Sequence, residues 1–203
     1  LAVGDVCLVG RQLYHVAPRP TLQEAVPVRG ASGYLARQPG PFRILPAGRE
    51  IFSSNAFALA GIESVGGYHP AKLRAYQDLI GAELLTSPAV LKMLNVRYLV
   101  APGPMQWSAA PLFEGDGWVY PWPDSLPRAW SVPRVEAVSG SAALLARLGD
   151  EQFDPAQIAL VYAADGPAPV PGGEARVALL GHEPGRDRVR VEAGGPAFVV
   201  LSE

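Results

Sequence analysis

The sequence predicts a mixed α/β fold whose C-terminal portion is β-rich and antiparallel. Three observations carry that prediction. Residues 42–100 run in the order strand, loop, helix, helix, strand, the order of an α/β unit. The 203 residues include 21 prolines and 22 glycines, which cut the chain into short elements and exclude a helical bundle. Residues 175–201 alternate between apolar and polar side chains, with Gly and Pro turns between, as antiparallel strands do. The texture changes after Pro104, so the chain divides into an α/β portion, 1–104, and a β-rich portion, 105–203.

Each element has a local reason. Residues 3–17 read as an extended apolar segment, broken at Gly10 and closed by Pro18 and Pro20. A weak helical pattern over 22–37 is split by Pro27 and Gly30, with Tyr34, Leu35, Ala36 and Arg37 as its last turn. Pro39-Gly40-Pro41 is a firm break, and Phe42-Arg43-Ile44-Leu45 alternates as a buried strand does. Residues 49–70 read as irregular, polar and aromatic; long ordered loops of this kind often carry function. The clearest helix begins at Ala71, with Leu73, Tyr76, Leu79 and Ile80 at helical spacing and Pro70 at its start. A shorter helix begins at Pro88 behind a Ser87 N-cap, and Asn95 ends it in a left-handed conformation. Val96-Arg97-Tyr98-Leu99-Val100 is then a strand, stopped by Pro102-Gly103-Pro104.

Beyond that break, Gly117-Trp118-Val119-Tyr120 and Ala129-Trp130-Ser131-Val132 read as short strands. Ser141–Leu148 is a helix with Leu144, Leu145 and Leu148 on one face, and Ile158–Tyr162 is a strong strand. Residues 167–173 form a Pro/Gly linker or exposed loop. The tail, over 175–180, 188–192 and 197–201, reads as antiparallel sheet, half of a sandwich completed outside this chain.

Composition narrows the function classes. With 49% hydrophobic and 18% charged residues the chain is globular, not disordered. A net charge of -2 gives no basic field for nucleic acid. The single cysteine, Cys7, excludes an intrachain disulfide and a cysteine metal site. His15, His69 and His182 lie far apart, none with a second ligand at metal spacing, so neither metal nor cofactor is expected. There is no Gly-x-Ser-x-Gly elbow and no phosphate-binding glycine loop followed by lysine. No apolar run is long enough to span a bilayer.

The densest cluster of chemistry is Glu63-Ser64-Val65-Gly66-Gly67-Tyr68-His69-Pro70-Ala71-Lys72-Leu73. Read functionally, Tyr68 stacks on a sugar face, Lys72 at a helix N-terminus favours phosphate, and His69, Asn55 and Glu63 converge on the same surface. Read structurally, Gly66 and Gly67 supply positive φ, Pro70 starts the helix, His69 bonds a backbone carbonyl, and Asn55 and Glu63 are caps or turn formers. Asn95, Arg97 and Tyr98, at a helix-to-strand junction, read as structural, with Arg97 pairing Asp78 or Glu83. Trp107, Trp118, Trp122 and Trp130 read as core, or, if exposed, as a carbohydrate platform or membrane-interface contact. Pairs such as Asp116 with Asp124, or Glu114 with Asp116, read as solvated turn residues. No catalytic residue is assigned.

The order of motifs carries a resemblance. Pro39-Gly40-Pro41-Phe42-Arg43-Ile44-Leu45-Pro46 is followed by Asn55, then by Gly61-Ile62-Glu63-Ser64-Val65-Gly66-Gly67-Tyr68-His69-Pro70. Leu94-Asn95-Val96-Arg97-Tyr98-Leu99-Val100, Leu126-Pro127-Arg128-Ala129-Trp130 and Val200-Leu201-Ser202-Glu203 complete the series. It resembles the soluble C-terminal region of the YfhO family of bacterial polytopic membrane proteins, over most of residues 11–203. That family looks like glycosyltransferases of the GT-C type, which use polyprenyl-phosphate sugars and carry large segments outside the cytoplasm.

The resemblance implies that transmembrane helices precede Leu1 and that the catalytic acid lies in a loop outside this chain. It further implies a domain on the extracytoplasmic side of the cell membrane, with its own transmembrane region as partner. The expected function is accessory: contact with an acceptor glycan or lipid-linked sugar, without catalysis by this piece alone. The alternatives are a purely structural or protein-interaction domain and, third, a stand-alone hydrolase.

Overall fold

The computed structural model describes residues 28–68, 73–166, 168–173, 175–183 and 185–202. The segment 3–17 and the residues His69, Pro70, Ala71 and Lys72 fall outside them. The fold is mixed α+β, with antiparallel strands in the C-terminal part.

The organising element is a four-stranded sheet. Its strands are β1 (Arg43–Pro46), β2 (Glu63–Ser64), β3 (Val96–Ala101) and β4 (Trp118–Pro121), in the order β2-β1-β3-β4. β1 runs parallel to both β2 and β3, and β4 closes the edge antiparallel to β3. The strand predicted over 96–100 is almost wholly buried because the sheet is covered on both faces. Tyr98 and Val100 pack with Ile44, Phe57, Ile62 and Val119, under the helix α1 (Gly30–Leu35). Leu99 and Ala101, pointing the other way, pack with Tyr120 against Trp107, Trp118 and Trp122.

The long stretch read as irregular holds two single-turn helices, α2 (Arg49–Phe52) and α3 (Ala56–Leu59), before β2. Four residues are too few to show a helical period, which is why the pattern hid them. The next helix, α4, covers Arg74–Gly81 behind a non-helical Leu73, three residues later than the expected start at Ala71, and a 3-10 turn follows at Leu84–Thr86. α5 is Pro88–Met93, with Ser87 in the N-cap position and Pro88 inside the first turn. Asn95 then adopts φ 58°, as expected for a left-handed helix stop. Its side-chain amide also donates to the Leu126 carbonyl at 2.7 Å, fixing the chain that leads to the next strand.

The remaining described residues build three two-stranded pieces. β6 (Arg134–Val138), α6 (Ser141–Leu148) and β7 (Ile158–Tyr162) make a parallel βαβ unit. β8 (Ala175–Glu183) and β9 (Arg186–Ala193) form the expected hairpin. The last predicted strand departs from the hairpin: β10 (Phe198–Leu201) pairs antiparallel with β5 (Ala129–Val132), not with β9. Alternation fixes which face of a strand is buried and leaves its neighbour open.

The four tryptophans are built into the fold. Trp107 and Trp122 sit with ring centroids 5.4 Å apart, and the Trp107 indole donates to the Pro121 carbonyl at 3.0 Å. Trp130 is buried and donates to the Pro155 carbonyl at 2.9 Å. Arg97 corrects an expectation: it pairs with neither Asp78 nor Glu83. Its guanidinium donates to the Pro39 carbonyl at 2.8 Å and stands 5.6 Å from the ring centres of both Phe42 and Tyr98. No carboxylate is needed there, because two aromatic faces and a carbonyl already favour the cation.

Candidate functional site

The functional reading of the sequence centred on the loop around Tyr68. Asn55 explains the shape of that loop. Its side-chain amide donates to the Tyr68 carbonyl at 2.9 Å, and its carbonyl oxygen accepts the Tyr68 N–H at 2.9 Å. The backbone of Tyr68 is thereby held as a strand neighbour would hold it, while its side chain stays exposed. Gly66 does not have the positive φ expected of it; glycine is required there by close approach, because a Cβ would overlap the carbonyl of Phe52. Gly67 has φ +114°, which favours glycine. Below the loop a cleft of about 380 Å³ is lined by Arg43, Asn55, Gly61, Glu63, Gly66 and Gly67. On the other side of the loop, the Tyr76 hydroxyl donates to the Val65 carbonyl, and burial pushes its pKa up to about 12.

Glu63 is neither cap nor turn former. It stands in β2 opposite Arg43 and is the centre of a charged junction. Arg43 Nε lies 3.2 Å from Glu63 Oε2. The same guanidinium donates to Ser202 Oγ at 2.8 Å, to the Ser202 carbonyl at 3.0 Å and to the Leu94 carbonyl at 3.1 Å. Arg128, whose side chain is 1% exposed, donates to the Ser202 carbonyl at 2.6 Å and to Glu63 Oε1. Glu63 Oε1 also accepts from His182 Nε2 at 2.8 Å, and His182 Nδ1 faces Asp187 Oδ1 at 2.6 Å.

The electrostatics follow from these contacts. Partial burial works to raise the Glu63 carboxyl pKa, but the Arg128 bond and charge, joined by Arg43 and His182, outweigh it and hold the pKa below its ordinary value. The bond to Asp187 raises the His182 pKa; burial opposes it, Glu63 adds to it, and the net result lies above the ordinary histidine value. A carboxylate shared by two guanidinium groups and an imidazole is a poor general base, because every partner stabilises its charged form. The junction is suited to holding elements together.

A second cleft, of about 510 Å³, opens on the other side of Glu63. Its body wall is formed by Leu35, Gln38, Phe42, Ile62 and Glu63, and its hairpin wall by Leu179, Leu180, Gly181 and His182. Neither cleft is lined by Tyr68. Among the described residues, no group of three or more His, Cys, Asp or Glu side chains is placed to hold a metal ion.

Of the residues singled out in the sequence, the structure joins Asn55 to Tyr68 and places Glu63 at the neighbouring junction; His69 and Lys72 lie outside the described residues. Asn95 belongs to the same neighbourhood, since its carbonyl accepts the Arg43 N–H at 3.0 Å. The junction members Arg43, Arg128, His182, Asp187 and Ser202 escaped the residue-by-residue reading. Arg43 and Arg128 did leave a signal: each is a lone charge inside an apolar run, and a buried charge needs a partner. The partners lie 20 to 159 residues away in sequence, beyond any local pattern. The chain matches no protein-family model, no curated protein and no solved structure.

Proposed function

We propose that this chain is the extracytoplasmic accessory domain of a GT-C-like membrane protein of the YfhO kind. In this reading it is not catalytic alone, and it meets an acceptor glycan or lipid-linked sugar through the Tyr68 loop. The observation that carries the reading is the convergence of the motif blocks. Arg43, Glu63, Leu94 with Asn95, Arg128 and Ser202 each come from a different block of the resemblance, and all of them meet at one junction. Short motifs shared by accident have no reason to interlock in space. Motifs that together define a fold must do so.

The accessory role is supported by what the junction does with its charges. They are bonded to one another, so the network acts as scaffold. Tyr68 is 67% exposed on a backbone clamped by Asn55, an arrangement suited to stacking with the backbone already ordered. The same internal pairing of charges favours a second reading, a purely structural or protein-interaction domain packing on its own transmembrane region. No helix among the described residues is long and apolar enough to cross a membrane, so in either reading the anchor is supplied from elsewhere.

The test is binding to vesicles containing a polyprenyl-phosphate sugar, compared with vesicles of the same lipids without it. Wild type is expected to be retained by the sugar-lipid vesicles, and Tyr68→Ala and His69→Ala to lose most of that retention. Equal retention by all three removes the loop from the reading. No retention of wild type leaves the structural domain.

A further inference from the structure

We propose that His182 is a proton-operated latch: protonated, it fastens the β8–β9 hairpin to the sheet and keeps the 510 Å³ cleft closed on that side; deprotonated, it lets the hairpin swing away and opens the cleft. This does not depend on the glycan reading.

The first support is geometric. Both ring nitrogens of His182 face carboxylate oxygens, Asp187 Oδ1 at 2.6 Å and Glu63 Oε1 at 2.8 Å. An ionised carboxylate only accepts, and a neutral imidazole has one N–H. Only the imidazolium donates to both. Loss of one proton leaves a nitrogen lone pair against a carboxylate at one of these short distances. The doubly bonded arrangement therefore exists only in the charged state.

The second support is that the two carboxylates belong to different parts of the fold. Asp187 is the cross-strand partner of His182 within the hairpin, and Glu63 is on β2 of the four-stranded sheet. A bulge aims the histidine. The ladder slips between Leu179 and Gly181, so that Leu180 is an extra residue on β8. Strict alternation would set His182 on the face opposite Val177 and Leu179. The extra residue moves it to their face, the one turned toward the body. Gly181 at the bulge sits against the Arg188 guanidinium, where a Cβ would come within 3.1 Å of it.

The third support is the pattern of anchorage. The base of the hairpin is tied to β5, where Ser131 Oγ donates to the Ala175 carbonyl at 2.8 Å and accepts the Ala175 N–H at 3.3 Å. His182 lies at the other end, one residue from the last pair of the ladder, Glu183 with Arg186. A hairpin fixed at its base and latched near its tip can move as a lid.

The charged groups around His182 decide the direction. Asp187 from β9 and Glu63 from β2 favour the imidazolium. Arg128, preceding β5, opposes it, and Arg43 on β1 acts on it through Glu63; Arg188 and the Glu183–Arg186 pair stand beside it on the hairpin. The balance raises the His182 pKa in the closed state above its ordinary value of 6.5. A raised pKa means that the latch is fully present below the open-state pKa and is lost as pH rises through the closed-state pKa. Each unit of difference makes opening tenfold easier once the proton has left.

The experiment is amide hydrogen exchange of the 203-residue chain from about pH 5 to about pH 9, corrected for intrinsic exchange, beside an NMR titration of the His182 ring. In wild type, protection of β8 and β9 amides is expected to fall by about tenfold per unit of pKa difference, at the pH where His182 titrates, with β1 and β3 unchanged. His182→Gln is expected to show low hairpin protection at every pH and no step. Flat hairpin protection in wild type while His182 titrates overturns the proposal. So does the same step in His182→Gln, or a loss that extends equally to β1 and β3. The wild-type series decides alone if the variant does not fold.

Discussion

Replacing Arg128 with Met is the sharpest test of the charged junction. The substitution keeps an unbranched apolar stem of similar reach and deletes the guanidinium. Two charge-assisted hydrogen bonds disappear, one to the Ser202 carbonyl and one to Glu63. Bonds to charged groups contribute about 1.5–3 kcal/mol each. Neither acceptor is stranded, because the Ser202 carbonyl keeps Arg43 and Glu63 keeps Arg43 and His182. Glu63 is also 36% exposed, which lowers the worth of its bond. Arg128 itself lies near zero exposure and already has one nitrogen, Nε, buried without a hydrogen-bond partner among the described residues, so its removal recovers some desolvation. These terms place the net loss at about 3 kcal/mol, toward the low end of what breaking a buried ion pair costs. For a chain of this size that corresponds to a fall in Tm of about 6–12 °C. Urea unfolding of wild type, Arg128→Met, Glu63→Gln and the double variant gives both the loss and the coupling. A loss below about 0.5 kcal/mol, or additive effects in the double variant, would refute the reasoning.

Three further outcomes follow from neighbouring contacts. Because the Glu63 pKa is lowered in the folded state, its contribution is present above the ordinary value of 4.5 and is lost as pH falls through the folded value; wild type should lose stability there, and Glu63→Gln should show a shallower loss in a urea series. Gly66→Ala should cost about 2–4 kcal/mol, since the new Cβ meets backbone that cannot turn aside, whereas Gly81→Ala in α4, with nothing within 4 Å, should be neutral or stabilising by about 0.5–1 kcal/mol. Asn55→Ala removes both bonds to the Tyr68 backbone and should raise hydrogen exchange at the Tyr68 amide while lowering global stability by only about 1 kcal/mol, because the loop is exposed.

The parts of the fold that the sequence disclosed are those with a local cause. β3 was readable because a buried strand is an apolar run, α5 because proline and serine mark a helix start, and Asn95 because few residues tolerate a left-handed stop. α2 and α3 were not readable, because one turn of helix has no period. The partner of β10 and the strand β6 were missed because pairing is chosen by tertiary packing. The candidate site divides in the same way. The glycines that shape the Tyr68 loop lie within two residues of it, whereas Asn55, which clamps it, stands 13 residues away. The bonding of Glu63 could not be read, because its partners Arg128 and His182 are 65 and 119 residues distant.

That separation has a temporal side. Arg43 bonds to Ser202, 159 residues further along the chain. At synthesis rates of about 5–20 residues per second, the nascent protein carries Arg43 for roughly 8–30 s before its partner has been made. During that interval β1 can pair with β2 and β3, but the Arg43 guanidinium lacks its Ser202 acceptors. Until then the guanidinium has Glu63 and the Leu94 carbonyl as partners, and its donors to Ser202 are left to water. The sheet can therefore pair early, while the junction that ties it to Ser202 closes only after residue 202 has been made.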